Sequence, residues 1–257
     1  MWPLIIKLLM NPNIAFAPLG IWLFFGSVML FSLAKSSTYR NPVSYAALVG
    51  GLAGVVASVF PVLMIYEIVN SQPAFYIFYG IYSAYTYVPA IVAFHMFEKR
   101  TKNSEGGKYS IFLGFTWAAV CILASLSVTI MAAIYSTQES IDFSLSERFA
   151  NGLTFLLLMG WGFIAVNLLL LVIYFQHLNR GYARMSFIAY TILNIMSAVA
   201  FTVLSFAPLE PDYNFVDTYG YLTVFLVDFP TAAAVFISFY MGHFWTGNAE
   251  NDMASIA

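Results

Sequence analysis

The chain has 257 residues, of which 61% are hydrophobic and 9% charged, with a formal net charge of −2 at pH 7. Soluble domains carry about 25% charged residues, so this composition excludes a soluble globular protein and predicts a polytopic membrane protein. Its 3 histidines and 1 cysteine form no pattern typical of a zinc, haem or iron–sulfur site. No basic domain indicates nucleic-acid binding.

Residues 1–13 do not resemble a signal peptide. Lys7 interrupts the apolar run, and Asn11 and Pro12 follow it in place of a small-residue cleavage site. We therefore expect an interfacial segment with Trp2 at the level of the lipid headgroups.

Seven apolar stretches are each long enough to cross a hydrocarbon core about 30 Å thick. They predict an all-α fold, a seven-transmembrane-helix bundle over residues 14–245, followed by a flexible tail over residues 246–257. The predicted spans are residues 14–34, 43–68, 73–97, 109–135, 151–176, 183–207 and 218–245.

Lysine and arginine concentrate on one side of the predicted bundle. The other side has only Lys7 and Arg148, whereas the first, third and fifth loops contain Lys35, Arg40, Lys99, Arg100, Lys102, Lys108, Arg180 and Arg184. By the positive-inside rule these loops are cytoplasmic, the N-terminus is outside and the tail is cytoplasmic. We expect a multi-pass protein of the plasma membrane whose short loops leave its function to the bundle.

The second span has small residues at four-residue spacing: Ala46, Gly50, Gly54 and Ser58. Such a face allows close approach of another helix. We expect packing within the bundle. The Gly50/Gly54 face would also suit a second copy of the chain or a membrane-protein partner, besides the surrounding lipids.

The third span is rich in tyrosine. Tyr76 and Tyr79 lie near its outer end, whereas Tyr82, Tyr85 and Tyr87 lie deeper. A buried phenol needs a hydrogen-bond partner, so the three deeper residues are candidates for lining a ligand site. Packing against neighbouring helices is the alternative for each of them.

Other polar or aromatic residues fall at depth on the remaining spans. Asn167 and Asn194 are costly to bury and are expected to bridge helices, with Asn194 also a candidate ligand contact. Trp161 is a candidate wall of a pocket, with core packing as the alternative. Serine and threonine are expected to bond back to their own helix; those at depth are Ser125, Ser127, Thr129 and Ser197.

Asp228 is the acidic residue predicted to lie deepest, about 13 Å into the seventh span at 1.5 Å per residue. A carboxyl group at that depth is costly unless it is paired, hydrogen-bonded or protonated. It is therefore either part of a functional site or a neutral carboxyl that locks two helices together. Pro230 cannot donate to the carbonyl of Leu226, which leaves an acceptor free beside Asp228.

Several segments resemble the microbial (type 1) rhodopsins. The run from Leu48 to Met64 is similar to the second helix of that family, and Tyr87-Val-Pro89 is similar to part of its third helix. Met196-Ser-Ala198 resembles a tract of the sixth helix, and Leu226-Val-Asp228-Phe-Pro-Thr-Ala232 resembles the seventh. The resemblance implies an opsin-like bundle with the N-terminus outside.

The chain departs from that family where the retinal chemistry resides. The Schiff-base lysine would fall at Ala232, and the third-helix arginine and counter-ion aspartate would fall near Gly80 and Ser83. The sixth-helix tryptophan and proline would fall at Met196 and Ala200. The comparison implies no covalent retinal, no other cofactor and no light-driven pumping, and it leaves room for a non-covalent hydrophobic ligand.

Three classes of function fit these features. The first is a non-enzymatic sensor, ligand-binding or interaction module with Asp228 in its pocket. The second is a small channel or proton-coupled carrier that uses Asp228, and the third is a structural subunit of a larger membrane complex. An enzyme is not expected, because histidine clusters, paired aspartates and a serine–histidine pair are not apparent in the sequence.

Overall fold

The computed structural model describes residues 12–66, 181–206 and 220–245, together with the single positions 68, 116, 119, 123, 130, 134 and 218. All regular structure within these residues is helical. Helix α1 covers Pro12–Lys35, a 3₁₀ turn covers Ser37–Tyr39, α2 covers Pro42–Ile65 and α3 covers Tyr182–Phe206. A π-helical segment, Val224–Asp228, leads into α4, Phe229–Trp245.

Four described segments are long and apolar enough to cross a membrane: Asn13–Lys35, Val43–Leu63, Arg184–Leu204 and Gly220–Gly242. They coincide with the first, second, sixth and seventh predicted spans, so the prediction of a helical membrane protein is confirmed for them. The third and fifth predicted spans, most of the fourth, and both termini lie outside the described residues. The seven-helix count, the domain bounds and the orientation stay predictions.

Local chemistry sets the ends of the first two helices. Lys35 occupies the last turn of α1, where a cation interacts favourably with the helix dipole. Asn41 precedes α2 and accepts a 3.0 Å hydrogen bond from the backbone N–H of Ser44 through Oδ1. Pro42 then takes the first helical position, which needs no N–H donor. The chain therefore reverses through one compact turn.

Helices α1 and α2 form an antiparallel pair that packs through small residues. A Cβ atom on Gly54 would lie 2.5 Å from Cδ2 of Trp22, and one on Gly51 would lie 2.5 Å from Cε of Met29. The small residues of α2 thus make room for two large side chains of α1. In the structure Gly54 packs against Trp22 of the same chain. Binding of a partner at the Gly50/Gly54 face stays a prediction.

Helix α4 lies between α2 and α3 and also contacts α1. Its inner face contributes Ala232, Val235 and Phe239 to the main apolar core. The other members of that core are Trp22, Met29, Ala47, Leu48 and Ala57. A smaller cluster of Ile14, Leu204, Val224 and Val227 lies beside the π-helical segment. The two clusters hold the chain on both sides of Asp228: Val224 and Val227 precede it, and the members from α4 follow it.

The outer face of α1 stays apolar along its length. The large side chains exposed on it are Phe16, Leu23, Phe24, Leu30 and Phe31. Phe16, Leu23 and Leu30 repeat at intervals of seven residues, as do Phe24 and Phe31, so all five lie on one side of the helix, opposite the buried Trp22 and Met29. An apolar face of this kind suits contact with lipid acyl chains.

Candidate functional site

Asp228 ends the π-helical segment Val224–Asp228, which interrupts the last span. The backbone N–H of Phe229 bonds to the carbonyl of Val224, five residues earlier. Pro230 follows at once; it has no N–H, and in an α-helix its ring would clash with the carbonyl of Leu226. The wider π turn accommodates that ring, and Pro230 is fully buried. Such single-turn π segments occur frequently at functional sites.

Two hydroxyl groups join α3 to the helix around Asp228. Oγ1 of Thr231 donates to the carbonyl of Val227 at 2.7 Å. Oγ of Ser197 lies 2.9 Å from Oγ1 of Thr231 and donates to the same carbonyl at 3.3 Å. The expectation that Ser197 bonds to its own helix is therefore wrong, because α3 packs directly against the π-helical segment, which offers Ser197 an acceptor at Val227.

Asn194, unlike Ser197, bonds within its own helix. Its Nδ2 donates to the carbonyl of Tyr190 at 2.8 Å, one turn earlier in the same helix. Within the described part of the chain Asn194 therefore does not bridge helices, contrary to expectation. Its place is one turn from Ser197 on α3, and its role as a ligand contact stays a prediction.

Asp228 as a whole residue is half-buried. Among the described residues, none donates a hydrogen bond to its carboxyl group and no cation pairs with it. It is also the single acidic residue in the described part of the chain. The backbone next to Asp228 is thus held by Ser197, Thr231 and Pro230, while its carboxyl group has no partner among the described residues.

The described cations lie far from Asp228. Lys35 and Arg40 lie at the end of the bundle where Ser32 bonds to Tyr240, about 18 Å from Asp228 along α4 at 1.5 Å per residue. Arg184 precedes Ser197 by thirteen residues on α3, about 20 Å by the same rise. Within the described ranges a salt bridge to Asp228 is therefore excluded by distance.

The remaining candidate ligand contacts, Tyr82, Tyr85, Tyr87 and Trp161, lie outside the described residues. So do Tyr76, Tyr79, Asn167, Ser125, Ser127 and Thr129, and Gly80 and Ser83 of the opsin comparison. Their proposed roles stay predictions. In the described part of the chain, no group of three or more histidine, cysteine or acidic side chains is placed to hold a metal ion.

Ala232, where the opsin comparison would place a lysine, is completely buried. It belongs to the same core cluster as Trp22 and Met29, so the space beside it is filled by side chains of α1 and α2. A lysine at this position would have to displace packed apolar groups.

A second polar cluster was not foreseen from the sequence. The hydroxyl groups of Ser32 and Tyr240 hydrogen-bond, and Oγ of Ser44 donates to the carbonyl of Phe239 at 2.7 Å. Tyr39 stacks on Phe239 with ring centroids 5.4 Å apart. Burial, and secondarily the nearby Tyr240, raises the pKa of Tyr39 above its usual value. The sequence offered one sign of this cluster: Ser32 and Tyr240 are polar residues in otherwise apolar stretches, each near the end of a predicted span.

Comparisons with protein-family models, curated proteins and solved structures give no match for this chain.

Proposed function

We propose that this chain is a non-enzymatic integral membrane protein of opsin-like, seven-helix architecture, without covalent retinal, that binds a small ligand at Asp228 as a sensor or binding module. One observation carries the proposal. The carboxyl of Asp228 has no hydrogen-bond or ion-pair partner among the described residues, whereas the helix that carries it is fixed by Ser197, Thr231 and Pro230.

The ligand class follows from charge. An ionised carboxylate only accepts hydrogen bonds, and at membrane depth it needs a partner. No lysine or arginine of the sequence falls within the predicted spans at comparable depth. The ligand therefore supplies the positive charge, and an apolar organic ammonium meets both requirements. Ring faces of the predicted tyrosines Tyr82, Tyr85 and Tyr87 would attract the same cation.

A thermal-shift experiment tests this ligand class. The purified full-length chain is mixed with phenethylammonium or with phenethyl alcohol, which has the same carbon frame and no charge. Because a ligand that binds only the folded state raises its stability, we expect phenethylammonium to raise the melting temperature more than the alcohol. The difference should vanish in Asp228→Asn and persist in Asp217→Asn, a control predicted to lie in an outer loop. Equal shifts by both compounds, or a shift that survives Asp228→Asn, would exclude the proposal.

Retinal provides a second check. No lysine occupies the position of Ala232 or any other predicted span position, so addition of all-trans-retinal should give no visible Schiff-base pigment. A pigment whose colour survives in the purified chain would show a reactive amine that this proposal does not contain.

The π-helical segment also favours a carrier that binds its substrate at Asp228. A single-turn π segment occurs frequently at functional sites, and Asp228 lies at the end of this one. Flux of phenethylammonium into liposomes would show this activity, and it should fall to the protein-free rate in Asp228→Asn. Binding without flux would leave the sensor or binding module in place.

A further inference from the structure

Lys35 and Arg40 form a basic corner at one end of the described helices. They lie on either side of the 3₁₀ turn Ser37–Tyr39, and both are exposed. Nζ of Lys35 lies 6.0 Å from the ring centroid of Phe31, and Phe31 is itself 68% exposed on the outer face of α1. The ammonium group thus lies over the apolar, lipid-facing side of the helix.

The charge of this corner is not balanced within the described part of the chain. Residues 12–66 contain no aspartate or glutamate. The one described carboxyl, that of Asp228, lies about 18 Å away along α4. Lys35 and Arg40 therefore form a positive site that would attract an external anion.

The corner is also held in a fixed position. Tyr39 stacks on Phe239 and meets the ring of Tyr240 edge-on with centroids 5.0 Å apart. Asn41 caps α2 and donates to Oγ of Ser44 at 2.9 Å. The backbone that carries Lys35 and Arg40 is therefore ordered before a ligand binds, which lowers the conformational cost of binding.

We infer that this corner binds the headgroup phosphate of an anionic phospholipid, with an acyl chain along the exposed face that includes Phe24, Leu30 and Phe31. The two cations supply the charge that complements the phosphate. The apolar face directly beneath Lys35 distinguishes a lipid from a soluble anion, because it offers contact area only to an acyl chain. Lysine side chains at helix ends commonly reach the headgroup level in this way.

Lipid counting by native mass spectrometry tests the inference. The detergent-solubilised full-length chain is titrated with phosphatidylglycerol or with phosphatidylcholine of identical acyl chains. A basic side chain near an anionic headgroup changes affinity roughly fivefold, so Lys35→Gln combined with Arg40→Gln should weaken phosphatidylglycerol binding roughly 25-fold. The control pair, Lys99→Gln with Lys102→Gln, removes the same charge from another predicted loop and should leave the preference intact.

Two further measurements keep the test decisive if the double variant unfolds. In the wild type, added salt should weaken phosphatidylglycerol binding and leave phosphatidylcholine binding unchanged, and Lys35→Arg with Arg40→Lys should keep the preference. Equal loss in the control pair, equal binding of both lipids, or displacement of phosphatidylglycerol by soluble glycerol phosphate would overturn the inference.

Discussion

The hydroxyl of Ser197 lies 2.9 Å from the hydroxyl of Thr231, and this contact ties α3 to α4 one turn beyond Asp228. Both hydroxyl groups also reach the carbonyl of Val227, which precedes Asp228. The two hydroxyl groups and the Val227 carbonyl therefore hydrogen-bond to one another. Among the described residues, the Asp228 carboxyl is the member of this region without a partner, and for that reason we propose it as the group that a ligand would contact.

Replacing Thr231 should reveal the energy of the bridge between α3 and α4. Thr231→Val keeps the shape of the side chain and removes its hydroxyl. Thr191→Val is the matched control, because the Thr191 hydroxyl bonds to the carbonyl of Phe187 in its own helix. Hydrogen bonds between membrane helices contribute about 0.6 kcal/mol on average. We expect Thr231→Val to lower the free energy of unfolding by about that much more than Thr191→Val, measured in mixed micelles, because it removes the Ser197–Thr231 contact and keeps the Ser197 bond to the Val227 carbonyl. Equal effects would remove the Ser197–Thr231 contact from the account of stability.

Gly54 should not tolerate a side chain. A Cβ atom there would lie 2.5 Å from the rigid ring of Trp22, whereas one on Gly20 would meet nothing within 4 Å. Overpacking typically costs about 1–3 kcal/mol, while alanine in a helix is favoured over glycine by about 0.5–1 kcal/mol. We expect Gly54→Ala to lower the melting temperature and Gly20→Ala to leave it unchanged or raise it. A Gly54→Ala chain as stable as Gly20→Ala would contradict the α1–α2 packing.

Ala232 should be equally sensitive to size. Ala232 is fully buried, whereas Ala233 is partly exposed. Ala232→Leu should cost about 1–3 kcal/mol by overpacking, and Ala233→Leu should cost less. Thermal unfolding of the two variants in the same detergent measures the difference. For the same reason, Ala232→Lys should fold poorly, so a colourless variant with added retinal would carry no information about the opsin resemblance. A well-folded Ala232→Lys variant would contradict the close packing of Ala232 against α1 and α2.

Tyr39 should make stability depend on alkaline pH. Its pKa is raised above the usual 10.0 by burial and then by Tyr240, so the folded chain holds the proton more tightly than the unfolded chain. This contribution to stability is fully present below pH 10.0 and is lost as the pH rises through the raised folded value. Tyr39→Phe should lose less stability than the wild type over that range. Tyr45→Phe, at an exposed position, should behave like the wild type; identical alkaline losses in all three chains would refute this role of Tyr39.

The sequence predicted the described helices well because membrane spans are set by length and apolar composition. The predicted spans 14–34 and 183–207 differ from Pro12–Lys35 and Tyr182–Phe206 by only one or two residues at each end. The residues at the turn between the first two helices agree with the observed ends: Lys35 lies in the last turn of α1, and Asn41 caps the start of α2. The depth of Asp228 in the membrane and the free carbonyl of Leu226 stay predictions, since both were inferred from position along a single helix.

The contacts between helices were less predictable because they depend on how each helix is rotated. Asn194 was expected to bridge and Ser197 to bond locally, yet the structure shows the reverse. The two residues are only one turn apart, and a small rotation decides which one meets α4. The π-helical segment was not foreseen either, since Pro230 is also compatible with a simple kink.

Covalent labelling of Asp228 tests most directly whether it presents an accessible carboxyl to a ligand within the membrane. Dicyclohexylcarbodiimide couples to carboxylic acids in apolar surroundings, and mass spectrometry of the digested chain locates the adduct. We expect one adduct at Asp228 in lipid nanodiscs, none in Asp228→Asn, and less labelling in the presence of phenethylammonium than of phenethyl alcohol. An Asp228 that stays unlabelled, or labelling that phenethylammonium does not reduce, would contradict a ligand site at this residue.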